Sequence, residues 1–233
     1  MLLPLGDDNS RRTTFPLVVW IIAGINGFVW YLQLTLGDNF TNGFSVVPWE
    51  ITHHADLIGT RAISSMGHSI PIHHFPGPTP IYLTIFSAMF MHGSWEHIIG
   101  NMIYLIIFAD QIEDALGHFR FAVFYVVCGV AASIAHIVVA TNSIIPSLGA
   151  SGAIAGVLGA YLIFFPSNSV RVLIFRDIVH VPAFIVLGGW IVLQFISQIG
   201  IAGGQESGIA YMAHIGGFLA GIPLAFILRK RRH

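Results

Sequence analysis

Apolar stretches long enough to bury a helix in lipid recur along this chain, and they fix its environment before anything else. A helix needs about 20 mostly apolar residues to cross a bilayer. We read six candidates: Pro16–Leu36, Trp95–Ala109, Phe119–Ala140, Ser151–Phe165, Ala183–Ile199 and Tyr211–Leu228. Charged residues make up 9% of the 233 positions, against about a quarter in a soluble domain. So few charges cannot keep a folded surface in water, and a chain this apolar does not stay disordered. The formal net charge of −1 gives no general attraction for nucleic acid. A single cysteine, Cys128, rules out an internal disulfide and a cysteine-rich metal site. The expected fold is an all-α membrane protein of one domain. Six transmembrane helices would occupy residues 16–228, after a cytoplasmic segment 1–15 and before a basic cytoplasmic C-terminus 229–233. The first stretch reads as a retained span, because it is too long for a signal h-region and no small-residue cleavage site follows it.

Charge placement supports the count. With six spans, Arg11, Arg12, Arg120, Arg171, Arg176, Arg229, Lys230, Arg231 and Arg232 share one side, and only Arg61 lies on the other. The positive-inside rule makes the crowded side cytoplasmic, so both termini are expected there. The connection from Gly37 to Pro80 is then an outer loop. It carries His53, His54, His68, His73 and His74, but their spacing matches no compact ligand motif. It reads as a structured cover over the helices rather than a metal centre.

Strongly polar groups inside spans are costly in lipid, so each is a candidate for function. His97, Asn101, Ser151 and His214 stand out. In the six-span arrangement the second, fourth and sixth helices run from outside to inside. All four residues lie in or beside the first turns of those helices, at similar depth in the outer leaflet. His97 and Asn101 are four apart and share a helix face, and both side chains can donate hydrogen bonds. Ser151 sits in Gly149-Ala150-Ser151-Gly152, where a helix N-terminus offers free N–H groups and its positive dipole end to a developing oxyanion. From Ser151 to Phe165 a helix is only about 22 Å long, short of the hydrocarbon thickness. Residues 141–150 must therefore dip toward Ser151, which requires a protein-lined or wet cavity. Small residues run below both reacting groups: Ser151, Ala155, Gly159 on the fourth span, and His214, Gly217, Gly221, Ala225 on the sixth. If these stripes meet, a serine nucleophile lies beside its general base.

Taken singly, a membrane serine usually bonds back to its own helix, and a Gly-xxx-Gly pattern signals packing. The shared depth and the facing stripes favour a site. His136, Gln194 and Gln198 show no such convergence and read as hydrogen-bonded structural groups. His92 is the best placed of the remainder to support the site. Trp20, Trp30, Trp95 and Trp190 read as interface or packing aromatics. There is no His-Glu-x-x-His motif, no carboxylate in the middle of a span and no glycine-rich phosphate loop.

Four segments together resemble the rhomboid family of intramembrane serine proteases, in its six-span prokaryotic form. They are His92-Gly-Ser-Trp-Glu-His97-Ile-Ile-Gly-Asn101, Glu113-Asp-Ala-Leu-Gly117, Gly149-Ala-Ser-Gly-Ala153 and Ala213-His214-Ile-Gly-Gly217, in the family order. The resemblance implies a dyad of Ser151 and His214, with His97, Asn101 and the Ser151 N–H as the oxyanion hole. It implies no cofactor and no metal. It also implies substrates that are single transmembrane helices, cut near the outer membrane face beside small residues, by an enzyme of a prokaryotic-type inner membrane. The first-loop Trp-Arg pair of many members is not found here, and the position one turn after the serine is Ala155 rather than an aromatic. No third acid lies near His214, so packing or another hydrogen bond must hold its tautomer. The fifth span and the segment Gly200–Gly208 are expected to be moving parts. A non-enzymatic protein that binds transmembrane helices on the same scaffold is the alternative reading.

Overall fold

The computed structural model of the chain describes residues 3–10, 12–65, 68–174, 176–202 and 210–230. Strand β1 (Leu3–Asp7) leads to helix α1 (Leu17–Leu36). A long connection follows. It holds the short helices α2 (Asp38–Gly43) and α3 (Pro48–His53), the antiparallel hairpin of β2 (Gly59–Ser65) and β3 (His68–His74), and helix α4 (Thr84–Ser87). Helices α5 (Trp95–Leu116), α6 (His118–Val139) and α7 (Ser151–Phe164) come next. Strands β4 (Ser169–Ile174) and β5 (Asp177–Pro182) precede α8 (Ala183–Ala202) and α9 (Tyr211–Leu228).

The protein is predominantly helical, and the all-α expectation needs correcting. Among the described residues there are two small antiparallel sheets, the β2–β3 hairpin and a three-stranded sheet in the order β1-β4-β5. Val170 and Val172 are fully buried while Arg171 between them is exposed, the two-residue period of a half-buried strand. That alternation is only six residues long, and the apolar helices around it mask it in the sequence. Pairing with β4 also draws Leu3–Asp7 onto the bundle, so the segment before α1 is part of the packed structure.

Among the described residues, four helices are long and apolar enough to cross a membrane: Leu17–Leu36, His118–Val139, Ala183–Gly200 and Tyr211–Leu228. Helix α7 is apolar but shorter, and α5 carries Glu96, Asp110, Glu113 and Asp114. The outward faces are apolar as well, with Phe119 81% exposed and Ile227 74% exposed. Such a surface has no stable contact with water but is at home in lipid. The chain is an integral membrane protein.

Helix α5 runs seven residues beyond the Ala109 end expected for the second span, and the added turns hold the lower end of the bundle together. Pro16 precedes α1 and caps nothing with its side chain. The Glu113 carboxylate accepts instead from the Val18 and Val19 N–H groups at 2.9 and 2.8 Å. It thereby caps a neighbouring helix across the bundle. Asp114 accepts from the side chains of Thr13 and Thr14, and Arg12 pairs with Asp110 at 2.9 Å. Asp7 accepts from Gln111 at 2.6 Å and from the Tyr161 hydroxyl at 2.5 Å.

At the opposite end the long connection is stitched to the segment that precedes α7. Val46 and Ser147 exchange both backbone hydrogen bonds, at 3.0 and 2.8 Å. The Trp49 N–H donates to the Ser143 carbonyl at 3.0 Å, and the Thr52 hydroxyl donates to the Thr141 carbonyl at 2.8 Å. The Gly149 N–H donates to the Ala88 carbonyl at 2.8 Å. Irregular backbone is tolerated at this level because protein, not lipid, satisfies it. Three histidines of this connection take separate partners, while the buried Nε2 of His74 has none among the described residues. His53 stacks on Trp49, His54 bonds the Tyr82 hydroxyl, and His73 bonds Thr60. The side chain of His68 lies outside the described residues.

Glu50 is the buried acid of this region, at 4% exposure, with its carboxylate accepting from the Leu57 N–H at 3.0 Å. Burial pushes its carboxyl from 4.5 up to about 7, and neighbouring Asp56 adds to the rise while the Leu57 bond opposes it. An acid that ionises less readily folded than unfolded costs no stability below its unfolded value. The cost grows as pH climbs from 4.5 to 7 and is complete above. Glu50→Gln is therefore expected to raise the melting midpoint by a few degrees at alkaline pH and to leave it unchanged at about pH 4. Melting curves of both proteins in detergent across that range check this; a gain equal at all pH values would assign the effect to packing instead.

Candidate active site

Helix α7 is the buried axis of the molecule: residues 152–161 are all buried, behind Ser151 at its first position. Its neighbour α9 approaches to backbone contact. A Cβ on Gly217 would lie 2.0 Å from the Gly152 carbonyl oxygen, and one on Gly221 would lie 2.1 Å from that of Gly156. A Cβ on Gly159 would lie 2.3 Å from the Phe218 carbonyl oxygen. In lipid no hydrophobic force drives helices together, so such small-residue seams supply the packing that does. The α9 stripe is the one expected from sequence. On α7, Gly159 of the expected stripe faces α9, and Ser151 reaches His214 there; Gly152 and Gly156 touch α9 through their carbonyl oxygens, while a Cβ on either would first meet Ala132 or Cys128 of α6, at 2.6 and 2.5 Å. The glycines at 152 and 156 thus let α6 and α9 both close on α7, with Ser151 beside the first of them.

At the top of this seam Ser151 and His214 meet. The Ser151 hydroxyl lies 2.8 Å from His214 Nε2. On the far side of the ring, His214 Nδ1 lies 2.8 Å from Gln194 Oε1 on α8. Trp190, one turn earlier on α8, tilts over the imidazole with ring centroids 5.7 Å apart, and Tyr211 meets the ring edge-on at 6.4 Å. Gln194, expected as a hydrogen-bonded group, and Trp190, expected as a packing aromatic, have the histidine as the partner that the sequence does not name. Their spacing of four residues on the fifth long helix was the available signal, along with the cost of an amide in a span.

His97 and Asn101 approach from α5. Ser94 caps this helix, its hydroxyl accepting from the His97 N–H at 3.2 Å. His97 Nδ1 accepts from the Gly93 N–H at 3.4 Å, which leaves the proton on Nε2. A Cβ on Gly149 would lie 2.8 Å from His97 Nε2 and 3.4 Å from the Ser151 hydroxyl oxygen, so imidazole and hydroxyl flank one spot. Gly149 has φ of +136°, so both its backbone conformation and the space around it require glycine. Asn101 is 8% exposed, and its buried amide nitrogen has no hydrogen-bond partner among the described residues. An unspent donor in a dry site is costly unless something arrives to accept it. His92 supports the group by packing, its ring edge-on to His97 at 5.1 Å. The His92 backbone is gripped in both directions by Gln33 of α1, at 2.8 and 2.9 Å. Of the segment Gly200–Gly208, residues 203–208 lie outside the described residues.

A family model described as the rhomboid domain matches residues 81–231. Among curated proteins, the chain is 26% identical over 215 residues to rhomboid-like protein 11, chloroplastic, of Arabidopsis thaliana, covering 88% of this chain and 66% of that protein. It is 30% identical over 237 residues to RHOMBOID-like protein 4 of the same plant, covering 95% and 55%. It is 27% identical over 150 residues to the putative rhomboid protease YdcA of Bacillus subtilis (strain 168), covering 64% and 68%. The chain spans about half the length of several of the plant relatives it matches.

Proposed function

From the premise that the chain belongs to the rhomboid family, we propose that it is an intramembrane serine endopeptidase that cuts transmembrane helices of single-span membrane proteins. The observation that carries this reading is the 2.8 Å contact of the Ser151 hydroxyl with His214 Nε2. His214 takes the Ser151 proton as the oxygen attacks a backbone carbonyl of the substrate. The negative charge moves to the carbonyl oxygen, where His97 Nε2–H, the Asn101 amide and the Ser151 N–H converge to receive it. The imidazolium then protonates the leaving amine, and an acyl-enzyme remains. Water, deprotonated by His214, attacks the acyl carbon and releases Ser151. A helical substrate hides its carbonyls in its own hydrogen bonds, so it must unwind at the cut, which glycine or proline near that point favours.

The same reading completes the topology. Six spans would place Arg12, Arg120, Arg171, Arg176, Arg229 and Lys230 on the cytoplasmic side of a prokaryotic-type inner membrane. The site would then open on the outer side. Helices α5 and α7 are the two spans that length and composition alone leave out, and each has a reason: acidic caps at the end of α5 and a recessed start for α7.

The test is cleavage of a transmembrane model substrate by the purified chain in detergent. Product should form equally with and without a metal chelator. A fluorophosphonate should stop the reaction and be found by mass spectrometry on Ser151. Binding of the substrate without cleavage, and no label on Ser151, would overturn the reading in favour of a helix-binding protein. Within it, Asn101→Ala and His97→Ala are each expected to lower kcat by about 10²- to 10³-fold with little change in KM, because their donors act on charge that exists only in the transition state. Steady-state kinetics on the same substrate checks this, and a rise in KM alone would place both residues in substrate binding.

A further inference from the structure

Gln194 belongs to none of the four matching motifs, yet its hydrogen bonds run in a single direction through His214. Its amide nitrogen lies 3.5 Å from the Trp190 carbonyl oxygen, which can only accept. The amide is thereby oriented, and Oε1 is the atom that faces His214 Nδ1 at 2.8 Å. An oxygen without a proton can only accept, so Nδ1 carries the hydrogen. Nε2 is then left with its lone pair toward the Ser151 hydroxyl, 2.8 Å away. The other tautomer would set a lone pair against Oε1 and an N–H against a hydroxyl that has to lose its proton.

We propose that Gln194 is the positioning residue of His214, a neutral amide that holds the histidine in the tautomer able to accept the Ser151 proton. This rests on the hydrolase reading above. Its chemistry suits the location. A third carboxylate would have to be desolvated among apolar helices, whereas an amide oxygen orients the ring and accepts the Nδ1–H of the imidazolium at lower cost. Trp190 completes the hold: its ring is tilted at 40° to the imidazole with centroids 5.7 Å apart, within reach of the cation that forms during attack. Both residues stand on α8, one turn apart, so a single helix both aligns and covers the base.

The experiment uses the full chain in detergent, with Gln194→Met, which keeps the length and removes the acceptor, and Gln194→Glu, which keeps the acceptor. Two rates are measured: cleavage of the transmembrane model substrate and labelling of Ser151 by a fluorophosphonate. For Gln194→Met, kcat and the labelling rate are expected to fall by about 10- to 100-fold with KM unchanged. Gln194→Glu is expected to recover most of the activity, with the acid limb of the rate profile moved to higher pH. His97, His136 and Tyr211, which also face His214, are the same in all three proteins. Labelling of Gln194→Met at the wild-type rate would overturn the positioning role alone. Equal losses in both variants, tracking a lower melting midpoint, would reduce Gln194 to a structural group. A wild type that neither cleaves nor labels would overturn the hydrolase reading and this role with it.

Discussion

Ser151→Ala is expected to lower cleavage by about 10⁴-fold or more while leaving the fold untouched. The hydroxyl's contact with His214 Nε2 is lost, and the methyl that remains fits the same first position of α7. His214→Ala is expected to lose as much, because neither group of a dyad works without the other. The double variant is then expected to be no slower than either single one, the non-additivity that marks residues acting as a unit. Rates on the transmembrane substrate and melting midpoints of the three variants check this. Residual cleavage by Ser151→Ala above the level of the double variant would show another nucleophile, and additive losses would mean the two residues act on different steps.

The second large effect is expected at a distance from the chemistry. Gly217→Ala places a methyl carbon 2.0 Å from the Gly152 carbonyl oxygen, and Gly221→Ala places one 2.1 Å from the Gly156 carbonyl oxygen. Both neighbours are backbone, so the helices must separate. Overpacking of this kind costs about 1–3 kcal/mol. The catalytic cost is larger than the stability cost suggests. Gly152 adjoins Ser151 and Gly217 is one turn below His214, so opening the seam opens the contact between the reacting atoms. A displacement of about 1 Å lowers the rate by about 10²-fold. Gly188→Ala on α8, where an added Cβ meets nothing within 4 Å, is the control and is expected to be neutral or slightly stabilising. Activity and melting midpoint for the three variants decide the matter; wild-type rates in Gly217→Ala would show that the seam does not set the catalytic distance.

Much of the helix layout was legible because lipid makes hydropathy a counting problem. Tyr211–Leu228 has the expected bounds, Ser151 lies beside His214, and His97 and Ser151 flank Gly149. Depth along a helix follows from residue number at a fixed rise, so polar groups at matching depth can be found without coordinates. The α9 seam was legible for the same reason, since its glycines repeat along one face. The strands were not. Val170 and Val172 alternate over too short a span to stand out beside apolar helices, and their partner Leu3–Asp7 lies far away in the sequence. Glu113 was seen as part of a motif, but its service as the cap of α1 depends on which helix end lies beside it.

The sequence by itself determined that the chain lives in lipid, where its helices run, and which polar side chains share a depth. Those properties depend on composition and on distance along one helix. The tertiary structure alone decided the rotation of each helix about its own axis. A helix that is apolar on every side, as α7 is, carries no stripe to announce which face turns inward. Packing set the Gly152 and Gly156 carbonyls against Gly217 and Gly221 of α9 and turned the open sides of the same two glycines toward Ala132 and Cys128 of α6. The same freedom on α8 turned Gln194 and Trp190 toward His214, which no pattern on α9 could have foretold.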